Sequence, residues 1–126
     1  MIAKLVFNLI KNKTLNHIIM QDLKASIQAD IANEKIVVYS KSYCPYAGAT
    51  KQLLNSNNVT YKLVELDQVA NGTAIQDALK DISGQRTVPN VFIGGKHIGG
   101  NSDVQALNSQ GKLGQTLSAA GVTHSF

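Results

Sequence analysis

Tryptophan is absent from this chain of 126 residues, cysteine and arginine occur once each, and proline occurs twice. A single cysteine excludes an internal disulfide, so the fold has no covalent framework. That scarcity of thiols fits a reducing compartment. The three histidines, His17, His97 and His124, are scattered, and with one sulfur they give no zinc site within the chain. No apolar stretch approaches the ~20 residues of a membrane span. No basic tract is interleaved with aromatics, which argues against a nucleic-acid surface. What remains is a composition, 44% hydrophobic, that can bury a core in one domain of ordinary size.

The net charge of +4 is unevenly placed. Residues 1–19 hold Lys4, Lys11 and Lys13 and no acid, so the rest of the chain has nine basic against eight acidic residues, or +1. In that leader Ile2, Leu5, Val6, Leu9 and Ile10 recur at helical spacing, with Lys4, Asn8, Lys11 and Asn12 on the other side. A basic, acid-free amphipathic segment reads either as a mitochondrial presequence or as a plain helical extension. It has no arginine and one hydroxyl residue, and Met20 offers a second start. The chain is therefore divided into a leader, 1–19, and a domain, 20–126. The expected compartment is the cytoplasm, or the mitochondrion if the leader directs it there.

From Met20 onward the pattern is regular. Met20, Leu23, Ile27 and Ile31 make one apolar helical face. Ile36 to Ser40 is short, apolar and β-branched, as a buried strand is. A helix from Pro45 places Ala49, Leu53 and Leu54 inward and stops at Asn55–Asn58. Val59 to Leu66 alternates as a second strand, giving a right-handed parallel β–α–β unit. Thr73 and Gln76 match a capping box for a helix whose buried stripe is Ile75, Ala78, Leu79 and Ile82, closed by Gly84. Strands at Asn90–Ile93 and His97–Ile98 are joined by Gly94-Gly95, a hairpin dipeptide. A helix starts at Asn101-Ser102-Asp103, Gly111 interrupts, and Leu113 and Leu117 mark a last helical stretch. The tail from Gly121 is expected to be loose. The sum is an α/β fold, α-β-α-β-α-β-β-α-α, around a small four-stranded mixed sheet.

Cys44 stands between the first strand and Pro45, in Tyr43-Cys44-Pro45-Tyr46-Ala47. Proline suits the first helical position, where its missing N–H costs nothing. Cys44 is thereby placed at a helix N-terminus, where unpaired N–H groups and the macrodipole favour an anion. Thiolate is the nucleophilic form of cysteine, and helix N-termini promote it. The plainer reading of such a residue is a buried cysteine acting as a small hydrophobe.

Three segments, Cys44-Pro45-Tyr46, Thr87-Val88-Pro89 and Gly99-Gly100-Asn101-Ser102-Asp103, occur in this order on this pattern of strands and helices. From about Ile36 to Leu117 the chain thus resembles a glutaredoxin of the Cys-Pro-Tyr-Cys type. The resemblance implies a thioredoxin-like fold and a glutathione-dependent oxidoreductase that reduces mixed disulfides between proteins and glutathione. Glutathione is then the cosubstrate, glutathionylated proteins are the partners, glutathione reductase is the coupled system, and the chain acts as a monomer. The departure is Ala47, which stands where the family places a resolving cysteine. A dithiol route is closed, and a monothiol cycle through Cys44 remains. The alternative from the same resemblance is a homodimeric carrier of a glutathione-ligated [2Fe–2S] cluster, since two chains and two glutathiones supply four sulfurs. Pro45 and Tyr46 resemble the enzymatic branch, whereas the carriers usually have Gly and Phe there.

The resemblance also assigns the remaining site residues, each with a plainer reading. Lys41 would hold the glycine carboxylate of glutathione and favour the thiolate, or is a solvated loop lysine. Gln76 and Arg86 match positions near the same carboxylate, although the capping box competes for Gln76 and Arg86 is otherwise an exposed cation. Thr87, Val88 and Pro89 resemble the cis-proline loop, where Val88 would pair with glutathione as an added strand does. The backbone N–H groups of the turn at Ser102 and Asp103 would take the γ-glutamyl carboxylate and the Asp103 carboxylate its ammonium, with Gly99 and Gly100 letting the ligand approach the backbone closely. Ser102 and Asp103 also read as ordinary helix caps. Tyr46 would flank the thiol.

Overall fold

The structure, a computed structural model, describes residues 2–126, with side chains from Lys13 onward. One helix, α1 (Ile2–Asn33), runs through the leader and the apolar face that follows it. The leader's stripe of Ile2, Leu5, Val6, Leu9 and Ile10 lies outside the residues whose side chains are described. Ile27 and Ile31 are buried, and Met20 and Leu23 pack partly against the same core. Among the described residues no helix is long and apolar enough to cross a membrane.

The chain continues as β1 (Ile36–Ser40), α2 (Pro45–Ser56), β2 (Lys62–Glu65), α3 (Gly72–Ser83), β3 (Asn90–Ile93), β4 (Lys96–Gly99), α4 (Asn101–Ser109) and α5 (Leu113–Ala119). The sheet order is β2-β1-β3-β4. β1 pairs parallel with β2, Val37 opposite Lys62 and Ser40 opposite Glu65. It pairs antiparallel with β3, Ile36 opposite Ile93 and Tyr39 opposite Asn90. β3 and β4 form the antiparallel hairpin. Gly94 and Gly95 both have positive φ, 60° and 78°, the combination a two-residue primed turn demands.

Side-chain alternation splits the core in two. Val37, Tyr39 and Phe92 face α1 and α3, with Ile75, Ala78 and Leu79. Ile36, Val38, Val91 and Ile93 face the other layer, with Leu54, Val104, Leu113 and Leu117. A central strand covered on both faces loses its alternation and reads as one apolar run, which is why Ile36–Ser40 is buried throughout. Each fully buried aliphatic side chain contributes about 1.5–3 kcal/mol.

Three local expectations are corrected. Thr73 is not the cap of α3: the helix starts two residues earlier than that cap requires, at Gly72 behind Asn71, with no side-chain cap bond. The Ile75 N–H already reaches the Asn71 carbonyl at 2.9 Å, and Gln76 is turned inward, its Nε2 donating to the Arg86 carbonyl at 2.8 Å. The second strand is shorter than 59–66, because Asn58 takes a left-handed φ of 60° and the Val59 N–H bonds back to Leu54 at 3.1 Å. The tail is not loose. Its Ser125 N–H donates to the Asn57 carbonyl at 2.8 Å, Asn58 Nδ2 donates to Ser125 Oγ at 2.6 Å, and His124 Nε2 lies 2.7 Å from Ser118 Oγ.

Candidate active site

Parallel pairing brings the carboxyl ends of β1 and β2 together, and antiparallel pairing sets the amino end of β3 beside them. The hairpin returns Gly99 to the level of Val91. The loop after β1, the segment before β3 and the turn after β4 therefore share one end of the sheet. The Cys44 N–H closes a turn onto the Lys41 carbonyl at 3.0 Å, and Cys44 then caps α2 in an extended conformation with Pro45 next. Its thiol is half-buried and makes no bond to the helix N–H groups. It points instead at the Val88 carbonyl oxygen, 3.8 Å away. The Val88–Pro89 bond is cis.

Beside the thiol runs an open groove of about 480 Å³, lined by Tyr46, Thr87, Val88, Pro89, Gly100, Asn101 and Ser102. Most of the residues anticipated from the sequence thus meet here. Lys41 is half-buried on the loop, and among the described residues no acid pairs with it. Asp103 turns back, one carboxylate oxygen accepting the Gly100 N–H at 2.9 Å. Lys41, Gln76, Arg86 and Asp103 are not among the residues that line the groove. Gln76 holds the Arg86 carbonyl, and Arg86 Nε pairs with Asp77 at 2.9 Å, both groups about half exposed. Beneath the groove the buried Thr50 hydroxyl donates to Asn101 Oδ1 at 2.9 Å, tying α2 to α4. Ala47 is fully buried. Among the described residues no three His, Cys, Asp or Glu side chains gather to hold a metal.

Two residues at this end escape a reading of the sequence. Asp67, just past β2, accepts the Ser42 N–H at 2.9 Å and the Ser42 hydroxyl on its other oxygen. The hydroxyl first, then the backbone N–H and Gln68, holds the Asp67 carboxyl far below the usual carboxylate range. The only available signal was positional: the residue ending one parallel strand must neighbour the loop that ends the other. A depressed carboxyl contributes stability that is complete above its unfolded value of about 3.9 and disappears as pH falls through the folded value. Asp67→Asn is accordingly expected to melt a few degrees below the wild type at neutral pH, the gap closing in strongly acid solution. Equal melting at neutral pH would remove the anchor. The second residue is Gln85, whose Nε2 donates to the carbonyls of Thr87 and Pro89, each at 3.0 Å.

Known proteins are similar to this chain in sequence and in fold. The glutaredoxin family profile matches residues 36–98. Glutaredoxin-C6 of Oryza sativa subsp. japonica is 50% identical over 97 residues, spanning 77% of this chain and 87% of that protein. A glutaredoxin of Ricinus communis is 52% identical over 91 residues, 72% of this chain and 89% of its own. The crystal structure of a buckwheat glutaredoxin–glutathione complex superposes with a TM-score of 0.78 at 43% identity, covering 81% of this chain and 93% of that one. A half-buried thiol beside a cis-proline loop, on a fold and sequence shared this extensively, has one source: the chain belongs to the glutaredoxin family.

Proposed function

We propose that the protein is a glutathione-dependent thiol–disulfide oxidoreductase that reduces protein–glutathione mixed disulfides through Cys44 alone. The observation that carries this reading is one thiol at a helix N-terminus, 3.8 Å from the Val88 carbonyl of the cis-proline loop, in a chain with no second cysteine. The glutathione bound to the buckwheat relative supports glutathione as the ligand.

The cycle balances on one sulfur. The Cys44 thiolate attacks the glutathionyl sulfur of the substrate. That sulfur's bond to the protein breaks, the protein leaves as thiolate and takes up a proton, and a Cys44–glutathione disulfide forms. A second glutathione, as thiolate, attacks the glutathionyl sulfur on Cys44. Oxidised glutathione departs and Cys44 returns as thiolate. Glutathione reductase regenerates the donor. The α2 N-terminus stabilises the anion in both steps, through the macrodipole and the first-turn N–H groups that no cap side chain bonds.

The groove offers matching contacts for the ligand. Val88 supplies its backbone N–H and C=O to the ligand's central peptide unit. The first-turn N–H groups of α4, reached past Gly100 and Ser102, take the γ-glutamyl carboxylate. Asp103 spends one oxygen on Gly100 and keeps the other for the ligand's ammonium. Lys41, half-buried on the loop before Cys44, takes the glycine carboxylate. Tyr46 and Thr87 line the approach.

The test is to mix reduced protein with a glutathionylated peptide and follow products by intact mass. The expected outcome is one released peptide thiol for each glutathione attached to Cys44, and loss of that adduct on adding free glutathione. No adduct on Cys44 removes the reading. A stable coloured dimer after reconstitution with iron, sulfide and glutathione, with no transfer activity, would make the chain a cluster carrier instead.

A further inference from the structure

We propose that Gln85 is the positioning residue of the substrate groove: its side-chain amide fixes the backbone of Val88 in the register that lines a glutathionyl sulfur up with Cys44. The inference rests on the reading of the groove as a glutathione site.

The two hydrogens of the Gln85 amide are both committed. One goes to the Thr87 carbonyl and one to the Pro89 carbonyl, each at 3.0 Å. These carbonyls bracket Val88. With the flanking acceptors tied back, the Val88 C=O between them is the one that meets the Cys44 thiol, at 3.8 Å. Proline has no N–H to anchor this segment, so the loop is held by the amide rather than by a strand ladder.

The amide is itself rigidly mounted. The Gln85 N–H donates to Ser83 Oγ at 3.2 Å, and its carbonyl accepts from the fully buried Asn90 Nδ2 at 3.3 Å. Asn90 Oδ1 lies 2.8 Å from His97 Nε2 on β4, and Ser83 Oγ donates to the Leu79 carbonyl at 2.8 Å. Gln85 thus carries the stiffness of α3 and of the β3–β4 hairpin to the loop. It also joins the two walls of the groove. A Cβ placed on Gly100 would lie 3.8 Å from Gln85 Nε2 and 3.6 Å from the Pro89 carbonyl oxygen. The amide therefore sits where the proline loop meets the double-glycine turn. Preorganising both walls lowers the ordering cost the ligand would otherwise bear, so its loss falls on binding rather than on the sulfur chemistry.

Gln85→Met keeps the length and removes both donors. Gln85→Glu keeps the shape and sets a carboxylate against two carbonyls. Each is compared with the wild type in three measurements: steady-state turnover of a glutathionylated peptide, alkylation of Cys44 by iodoacetamide, and thermal melting. Two lost hydrogen bonds predict a KM raised about tenfold with kcat held within about twofold. Alkylation needs no groove and stays within about twofold of the wild-type rate. The Glu variant shows the larger rise in KM. An unaltered KM in both variants overturns the positioning role, as does a KM that changes only in step with the alkylation rate. Unfolding of both variants also overturns it, since Gln85 is then a general support. A wild type that releases no peptide thiol sinks the glutathione reading and this role together, whereas a competent wild type with unchanged variants sinks this role alone.

Discussion

Cys44→Ser is expected to abolish turnover of glutathionylated substrates, by at least about a thousandfold, the scale on which removal of a nucleophile acts. The reason is chemical before it is structural. A serine oxygen cannot form the disulfide that links the two half-reactions, so the cycle is removed rather than slowed. What persists is direct exchange between glutathione and the substrate in solution. The fold, in contrast, is unaffected. Cys44 is half-buried at an N-cap with no side-chain cap bond, and serine is among the preferred N-cap residues, its oxygen accepting from the N2 or N3 N–H. The variant therefore melts at or slightly above the wild-type temperature while showing no activity in a glutathione reductase-coupled assay. That opposition of signs separates loss of the nucleophile from loss of structure. Activity retained in Cys44→Ser would end the proposed mechanism, because no other sulfur nucleophile exists in the chain beyond Met1 and Met20, whose thioethers cannot exchange.

What was legible in the sequence follows the range of the interactions that set it. The β-branched run at Ile36–Ser40, the Pro45 start of α2, the Gly94-Gly95 turn and the stripe of Ile75, Ala78, Leu79 and Ile82 are written in neighbouring residues, and the structure has each of them. Cys44 and the double-glycine turn are also legible, as strand ends beside helix starts, whereas the Thr87–Pro89 segment joins them only through the family resemblance; the structure sets the Val88 carbonyl oxygen 3.8 Å from the Cys44 thiol and lines one groove with both loops. The start of α3 was not, because a Thr-x-x-Gln signature says nothing about a carbonyl at Arg86 that claims the glutamine. The docked tail was missed for a similar reason. Ser125 and His124 are polar and carry no apolar periodicity, yet their bonds to Asn57, Asn58 and Ser118 hold the segment. Asp67 and Gln85 act on backbone groups of loops, and backbone groups leave no trace in residue type.

Gly72→Ala is expected to destabilise the protein by about 3 kcal/mol, the upper part of the usual overpacking range. An alanine Cβ there would lie 1.8 Å from the Leu66 carbonyl oxygen and 2.8 Å from its carbonyl carbon. Both are backbone atoms, so no side-chain rotation relieves the contact. Leu66 cannot retreat freely. Its side chain is buried in the core and its N–H bonds to the Ser40 carbonyl at 2.8 Å. If α3 moves instead, Ile75, Ala78 and Leu79 are pulled from the same core. Against this cost stands the helix preference for alanine over glycine, about 1 kcal/mol, which the clash outweighs. The melting temperature should fall by roughly 10 °C for a domain of this size. Activity should fall with it, because Asp67, which anchors the Ser42 loop before Cys44, directly follows the residue that must shift. Gly48→Ala is the counterpart: it also replaces a helical glycine, but nothing lies within 4 Å of the added Cβ, so helix preference acts unopposed and the melting temperature should rise by a few degrees. If Gly72→Ala melted with the wild type, the close approach of α3 to the end of β2 would be wrong, and with it the way this segment holds the Cys44 loop.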